Sequence, residues 1–146
     1  MNQESVVYGY IKSPNSLMNS QTINCHAINR KALISLPTLD SNAFLSRDIF
    51  SVPSLVSYDD SLPSSIIHFG NTYNGIEYEW GHWVEKFESL LQQMYWDFVV
   101  VHLETELSGV HTFTWDSGAA DHVPGKAPLN IRCEWQHELN IQKRRA

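Results

Sequence analysis

The amino-acid sequence predicts a single α+β domain, spanning residues 1–146, in which two main helices pack on a mostly antiparallel sheet of about five strands. The length of 146 residues and the hydrophobic content of 42% suit one compact core. Strand-like and helix-like patterns follow one another in the order strand, helix, strand, helix and three strands. No internal repeat or domain linker interrupts this order.

The first half of the chain contains one strand, one helix and a long loop. Residues 6–11 read Val-Val-Tyr-Gly-Tyr-Ile, which predicts a central strand because both faces are apolar, and the turn signal at 13–15 ends it. Residues 37–64 mix prolines with small polar residues and show no sustained period, which is typical of a loop. Between them, helical spacing predicts a helix over 16–36 that ends before Pro37, with a stripe of Met18, Cys25, Ile28, Ala32 and Leu36.

A short strand and a strongly amphipathic helix follow the loop. Residues 65–70 form an apolar run that Gly70-Asn71 closes, and Asn74-Gly75 marks a further turn. After this turn, large apolar residues recur at steps of four, three, four and three. The spacing predicts a helix of roughly five turns that organises the core, with Trp80, Val84, Phe87, Leu91 and Met94 along its stripe.

Three strands complete the predicted order. Residues 98–106 and 110–115 are rich in strand formers, and Leu107-Ser108-Gly109 between them suits a tight hairpin. Residues 116–128 contain several glycines and prolines and predict a surface loop. In the last strand, apolar and polar residues alternate, so one face should be buried and the other exposed to solvent. The apolar positions are Leu129, Ile131, Cys133 and Trp135.

The charge is distributed unevenly along the chain, whose net charge is -6. Residues 1–47 carry +2, residues 48–138 carry -11, and the basic tail 139–146 carries +3. An acidic body attracts cationic partners and repels nucleic acid, so we expect no direct nucleic-acid partner. Ordinary solubility is the alternative explanation of the same charge.

Two observations bear on compartment and cofactors. Cys25 and Cys133 lie far apart and form no cluster with histidine, so we expect two buried free thiols and no metal. The first residues lack the basic and apolar segments of a signal peptide, and no apolar run reaches the roughly 18 residues of a membrane span. We therefore expect a cytoplasmic protein with no membrane partner and no cofactor.

The predicted hairpin carries one candidate catalytic cluster. His102, Glu104 and Glu106 alternate and would project from one face of a strand, with His111 close by across the turn. Such a cluster could serve a small metal-dependent or acid/base hydrolase, although a solvated strand face that bears polar residues needs no further cause and is the favoured explanation. None of the seven histidines has a recognisable nucleophile motif beside it, so we expect no enzyme and no catalytic residue.

Carboxylates lie beside aromatic rings in three places: at the start of the second helix, on the hairpin and at the end of the last strand. We expect Trp80, Trp83 and Trp135 to belong to the core. The carboxylates could pair with Lys or Arg of a basic protein, with Asp59 and Asp60 as weaker candidates. The candidate partner-binding residues are Glu77, Glu79, Glu85, Glu104, Glu106, Glu134 and Glu138.

Five short strings resemble a family of small bacterial immunity proteins that protect against polymorphic toxins and toxins of contact-dependent growth inhibition. They are residues 6–11, Ile67-His68-Phe69-Gly70 followed by Glu77-Tyr78-Glu79-Trp80, Tyr95-Trp96, residues 101–106 and Arg132-Cys133-Glu134-Trp135. The resemblance implies a stoichiometric cytoplasmic inhibitor of a toxin domain delivered by a neighbouring cell. Many such toxins are basic nucleases, which suits an acidic inhibitor. An interaction module without a toxin is the remaining alternative.

Overall fold

The computed structural model describes residues 4–14, 19–38, 44–51, 66–118, 122–125 and 131–136, with the backbone alone for 19–24 and 131–136. The predicted α+β class is confirmed. In chain order the elements are β1 (Glu4–Lys12), α1 (Asn19–Ile34), a 3-10 helix (Arg47–Ile49), β2 (Ile66–Asn74), a second 3-10 helix (Ile76–Glu79), α2 (Trp80–Gln92), β3 (Phe98–Thr105), β4 (Gly109–Asp116) and β5 (Ile131–Gln136).

The strands form one antiparallel sheet in the order β2-β1-β3-β4-β5, so β1 has the interior position that its apolar sequence predicts. Glu4 lies opposite Asn74, and Ser5 lies opposite Thr105. One end of the sheet therefore holds the start of β1, the end of β2 and the hairpin that joins β3 to β4. The other end holds Lys12 at the end of β1 and the first residue of β3.

The α2 helix covers the core face of the sheet. Trp83, Phe87, Leu90 and Leu91 are buried in one hydrophobic cluster with Val7, Val101 and Trp115 of the sheet and with Leu33 of α1. The Phe87 ring lies between those of Trp83 and Trp115, with centroid distances of 4.9 Å and 5.3 Å. Each large side chain removed from water contributes about 1.5–3 kcal/mol before entropy, so this stack is a main source of stability.

The α2 helix is shorter than its apolar stripe predicts. It has 13 residues and ends at Gln92, so the expected length of roughly five turns is wrong. The amides of Gln93 and Met94 bond to Leu90 and Leu91, three residues back, which closes the helix in tight turns. Met94 is still buried in the core, because it follows the helix directly.

The α1 helix ends at Ile34, two residues before its predicted end. Residues 16–18 of the predicted helix lie outside the described residues. Of its predicted stripe, Cys25 and Ala32 are buried, and Cys25 is not part of a disulfide. Buried Asn29 accepts a hydrogen bond from the backbone N–H of Tyr95 at 2.8 Å and donates one to the Tyr95 carbonyl at 3.0 Å. This pair of bonds ties α1 to the segment that leads into β3.

The β2 strand is longer than predicted, because Gly70-Asn71 does not close it. Gly70 pairs with Tyr8, and the strand continues to Asn74. The next residue is Gly75, whose φ of 67° is a left-handed conformation that glycine adopts readily. Neither described helix has the length and apolar character needed to cross a membrane.

Candidate protein-binding surface

Five carboxylate residues are gathered at one end of the sheet, which we call the acidic end. Glu4 begins β1, and Glu104 lies directly opposite Val6 on the neighbouring strand. The 3-10 helix after β2 carries Glu77 and Glu79, and the turn after β3 carries Glu106. Antiparallel pairing therefore brings together residues that are up to about a hundred positions apart in sequence.

Glu77 attaches the 3-10 helix to the start of β1. The Ser5 hydroxyl donates a hydrogen bond of 2.6 Å to Glu77 Oε2. Glu77 Oε1 is buried and has no hydrogen-bond partner. The side chain is half-buried, so its role includes positioning the 3-10 helix as well as adding negative charge.

Glu79, Glu104 and Glu106 are exposed. Glu79 precedes the first residue of α2, where the positive end of the helix dipole stabilises a negative charge. Glu104 lies beside Tyr8 on the sheet face that points away from the core. Burial, the negative charge of Glu104 and a hydrogen bond to that carboxylate raise the pKa of the Tyr8 hydroxyl.

Two large apolar side chains at the acidic end are unusually exposed. Tyr78 has 75% of its surface exposed and lies between Glu77 and Glu79, and Leu107 has 70% exposed and follows Glu106. Val6 and Tyr8 on the neighbouring part of β1 are also exposed. Exposed apolar groups rimmed by charge are typical of protein-binding surfaces.

Cationic side chains are absent from the segments that form the acidic end. Residues 4–8, 75–81 and 102–110 contain no Lys or Arg. At the opposite end of the sheet, Lys12 forms an ion pair with Asp97 at 3.6 Å. The five carboxylates therefore add up to a local negative potential that no Lys or Arg of the same segments compensates.

The structure brings together four of the predicted partner-binding residues, namely Glu77, Glu79, Glu104 and Glu106. Glu85 lies apart, more than one turn into α2, where it lines a groove of about 300 Å³ with Phe44, His82, Lys86 and Ser89. Glu134 is on β5 opposite Thr112, with its backbone alone described. Glu138, Asp59 and Asp60 lie outside the described residues.

Sequence reasoning missed Glu4, Tyr78 and Leu107. Glu4 belongs to the positively charged first third of the chain, and only its pairing with Asn74 brings it to the acidic end. The exposure of Tyr78 follows from the 3-10 geometry, since a 3-10 helix presents different faces from an α-helix. Polar residues around Leu107 predict a turn. Because turns lie at the protein surface, the exposure of Leu107 could have been predicted from its place in that turn.

The tryptophan prediction is confirmed for Trp83, which is fully buried. Trp80 is half-buried and stacks on Trp83 with ring centroids 4.9 Å apart and planes 5° from parallel. For Trp135, the structure describes the backbone alone. The two described rings therefore pack at the start of α2, whereas the Tyr78 ring is exposed.

The four residues of the predicted hairpin cluster do not converge. His102 lies opposite Thr112 and donates to or accepts from its hydroxyl at 2.9 Å. His111 lies opposite Leu103, so it is on the other face of the sheet. The strand ends at Thr105, which leaves Glu106 in the turn. Within the described ranges, no group of three His, Cys, Asp or Glu side chains could hold a metal ion.

Burial changes the pKa of both histidines of the hairpin. It lowers the pKa of His102, an effect that the negative charge of Glu104 opposes. Burial also lowers the pKa of His111. Both imidazoles are therefore neutral at pH 7, and they contribute no positive charge to the acidic end.

Comparison of the chain with protein families, curated proteins and solved structures gives no match.

Proposed function

We propose that this chain is an immunity protein that binds and neutralises a cognate interbacterial toxin domain through its acidic end. The toxin domain is cationic and of the nuclease type. One observation carries the proposal: five carboxylates and two exposed apolar side chains occupy one end of the sheet, in segments without Lys or Arg.

Charge and exposed apolar area contribute to different steps of binding, the encounter and the docked complex. The carboxylates attract a cationic surface over about one Debye length and accelerate the encounter. Tyr78 and Leu107 supply area that leaves water when the partner docks, which is how aromatic and aliphatic anchors contribute most binding energy. The combination suits a protein that must capture a toxin quickly and hold it.

The size of the acidic end constrains the interface. Five strands at a spacing of about 4.8 Å span about 19 Å, so the end alone is narrow. A stable complex buries about 800 Å² on each partner. We therefore expect the interface to continue onto β1, where Val6 and Tyr8 are exposed beside Glu104.

The proposal is tested by co-expression with the product of the adjacent gene, followed by co-purification, growth rescue and association kinetics. Glu106→Lys at the acidic end is compared with Glu85→Lys on α2, because both replace one exposed carboxylate with the same cation. We expect Glu106→Lys to slow association about threefold to tenfold at low salt, and the double variant Glu79→Lys/Glu106→Lys to slow it further. Glu85→Lys should have a much smaller effect.

Two outcomes would contradict different parts of the proposal. Equal association rates for Glu106→Lys and the parent chain at every salt concentration would exclude the acidic end as the interface. If the adjacent gene product neither binds nor is neutralised, the chain is not its immunity protein, and an interaction module without a toxin becomes the better explanation.

A further inference from the structure

Two hydroxyl groups and one imidazole form a chain of hydrogen bonds in the β3–β4 hairpin. Ser108 Oγ lies 3.0 Å from His111 Nε2 and 2.5 Å from Thr105 Oγ1. The backbone N–H of Ser108 donates to Thr105 Oγ1 at 2.9 Å. A serine hydroxyl within hydrogen-bond reach of an imidazole is the first geometric requirement of nucleophilic catalysis by serine.

The bond from the Ser108 amide occupies a lone pair of Thr105 Oγ1. When the Thr105 hydroxyl then donates to Ser108 Oγ, the Ser108 hydroxyl can donate its own proton to His111 Nε2. This order requires Nε2 to be the unprotonated nitrogen of the ring. Burial lowers the pKa of His111, so the ring is neutral and able to accept a proton at pH 7.

We propose that Ser108 is an activated nucleophile, with His111 as its general base, that reacts with small neutral or cationic carboxylic esters. Ser108 is half-buried and follows exposed Leu107 in the turn, so its hydroxyl lies near the protein surface. Exposed Glu104 and Glu106 belong to the same hairpin and repel anionic esters.

The reaction forms one ester as it breaks another. Ser108 Oγ attacks the carbonyl carbon while its proton moves to His111 Nε2. The tetrahedral intermediate then releases the alcohol, which takes the proton from His111, and the acyl group stays on Ser108. Water attacks this acyl-serine in the reverse sense and releases the carboxylic acid. His111 thus acts first as base and then as acid in each half of the cycle.

The same contacts would also stabilise the turn without any chemistry, so the test must separate reactivity from structure. The full chain is incubated with 4-nitrophenyl acetate, and release of nitrophenol is followed together with the intact mass and the modified peptide. Because the acyl-serine forms faster than water attacks it, we expect a burst of one nitrophenol per chain and, in samples quenched during the burst, one acetyl group attached to Ser108. Absence of an acetyl group on Ser108 in these samples of the unsubstituted chain would overturn the proposal without the need for any variant.

Variants then assign the roles. Ser108→Ala should abolish the acetylation, and His111→Gln should slow it at least about tenfold. Ser89→Ala is the matched control, because Ser89 is an exposed serine that donates to the carbonyl of Glu85, and it should react like the parent chain. An unchanged rate in folded His111→Gln would exclude His111 as the base.

Two further readouts distinguish activation from a merely structural bond. The acetylation rate of the parent chain should rise with pH through the depressed pKa of His111 and be level at neutral pH, and this rise should disappear in His111→Gln. An anionic ester, 4-nitrophenyl hemisuccinate, should react more slowly than the neutral acetate at low salt, and the difference should shrink as salt is added. All of these measurements use the chain alone, so they are independent of the toxin partner.

Discussion

The two ends of the sheet use their carboxylates differently. At the opposite end, Glu88 Oε2 accepts a hydrogen bond from the indole of buried Trp115 at 2.9 Å. Asp116 Oδ1 accepts one from the Gly118 amide at 2.8 Å. Asp97 forms an ion pair with Lys12 at 3.6 Å. These negative charges are engaged within the fold.

At the acidic end, most carboxylates face water instead. Glu79, Glu104 and Glu106 are exposed, although Glu104 also accepts a hydrogen bond from Tyr8, and Glu77 is tied to β1 through Ser5. A carboxylate bonded inside the fold contributes stability, whereas one left in water contributes potential for binding. The difference separates residues that hold the fold from residues that are available to a partner.

The largest stability effect is expected at Glu88. Glu88→Ala leaves the indole N–H of buried Trp115 without its acceptor, which should lower the free energy of unfolding by about 2 kcal/mol. Glu88→Gln keeps an acceptor oxygen and should lose less. Urea denaturation of the three proteins measures the difference.

Glu85→Ala is the matched control for Glu88, because Glu85 lies one turn earlier on the same helix and is exposed. Its effect should stay within about 0.5 kcal/mol. A loss at Glu85 as large as that at Glu88 would mean that the helix, and not the bond to Trp115, accounts for the change.

A smaller loss is expected at Asp97. Its carboxylate contacts Lys12 and accepts a hydrogen bond from the Ser117 hydroxyl at 3.4 Å, and the side chains of the ion pair are about one third exposed. Asp97→Asn should therefore cost about 0.5–1 kcal/mol. A double-mutant cycle with Lys12→Gln measures the ion pair alone, and a coupling energy of zero would show that Asp97 acts only through Ser117.

The sequence predicts the elements of this fold better than their ends. The prediction of the hairpin is correct, because Gly109, with φ of 81°, supplies the left-handed residue that such a turn needs. The α2 stripe correctly predicts buried Phe87 and Leu91. It overestimates the helix because Met94 continues the apolar spacing beyond the last helical residue, and periodicity does not record where the backbone changes conformation.

The candidate surface is predicted only in part, because tertiary pairing determines which charges meet. Summing charge over blocks of sequence assigned Glu4 to the basic first third, although its strand pairs with a residue seventy positions away. Glu85 lies close to aromatic residues in sequence, as Glu79 does. Glu85 is on α2, however, more than one turn beyond Glu79. The contact between Ser108 and His111 depends on the register of β3 and β4, which turn composition alone does not specify.

The two histidines of the hairpin at the acidic end should make stability depend on pH. Burial lowers the folded-state pKa of His102 and His111 below the ordinary value of 6.5. The unfolded chain therefore binds more protons below this value, and stability falls as pH falls through about 6.5. Urea midpoints at about pH 7.5 and about pH 5.5 should differ less for His102→Gln/His111→Gln than for the parent.

Buried His26 of α1 also has a pKa lowered by burial and adds to the same trend. The variant His26→Gln is therefore measured in parallel. If it alone removes the pH dependence, the titrating group lies in α1, and the hairpin histidines do not differ between the folded and unfolded states.

The smallest effect is expected from neutralising exposed carboxylates of the acidic end. Glu4→Gln/Glu106→Gln removes two exposed negative charges from a region whose segments contain no Lys or Arg, so repulsion among the remaining carboxylates decreases. The free energy of unfolding should rise by about 0.3 kcal/mol at low salt and return to the parent value near about 1 M salt, where the Debye length is about 3 Å. A loss of more than about 1 kcal/mol would mean that these carboxylates hold the fold together, as Glu88 does, and the contrast between the two ends would then fail.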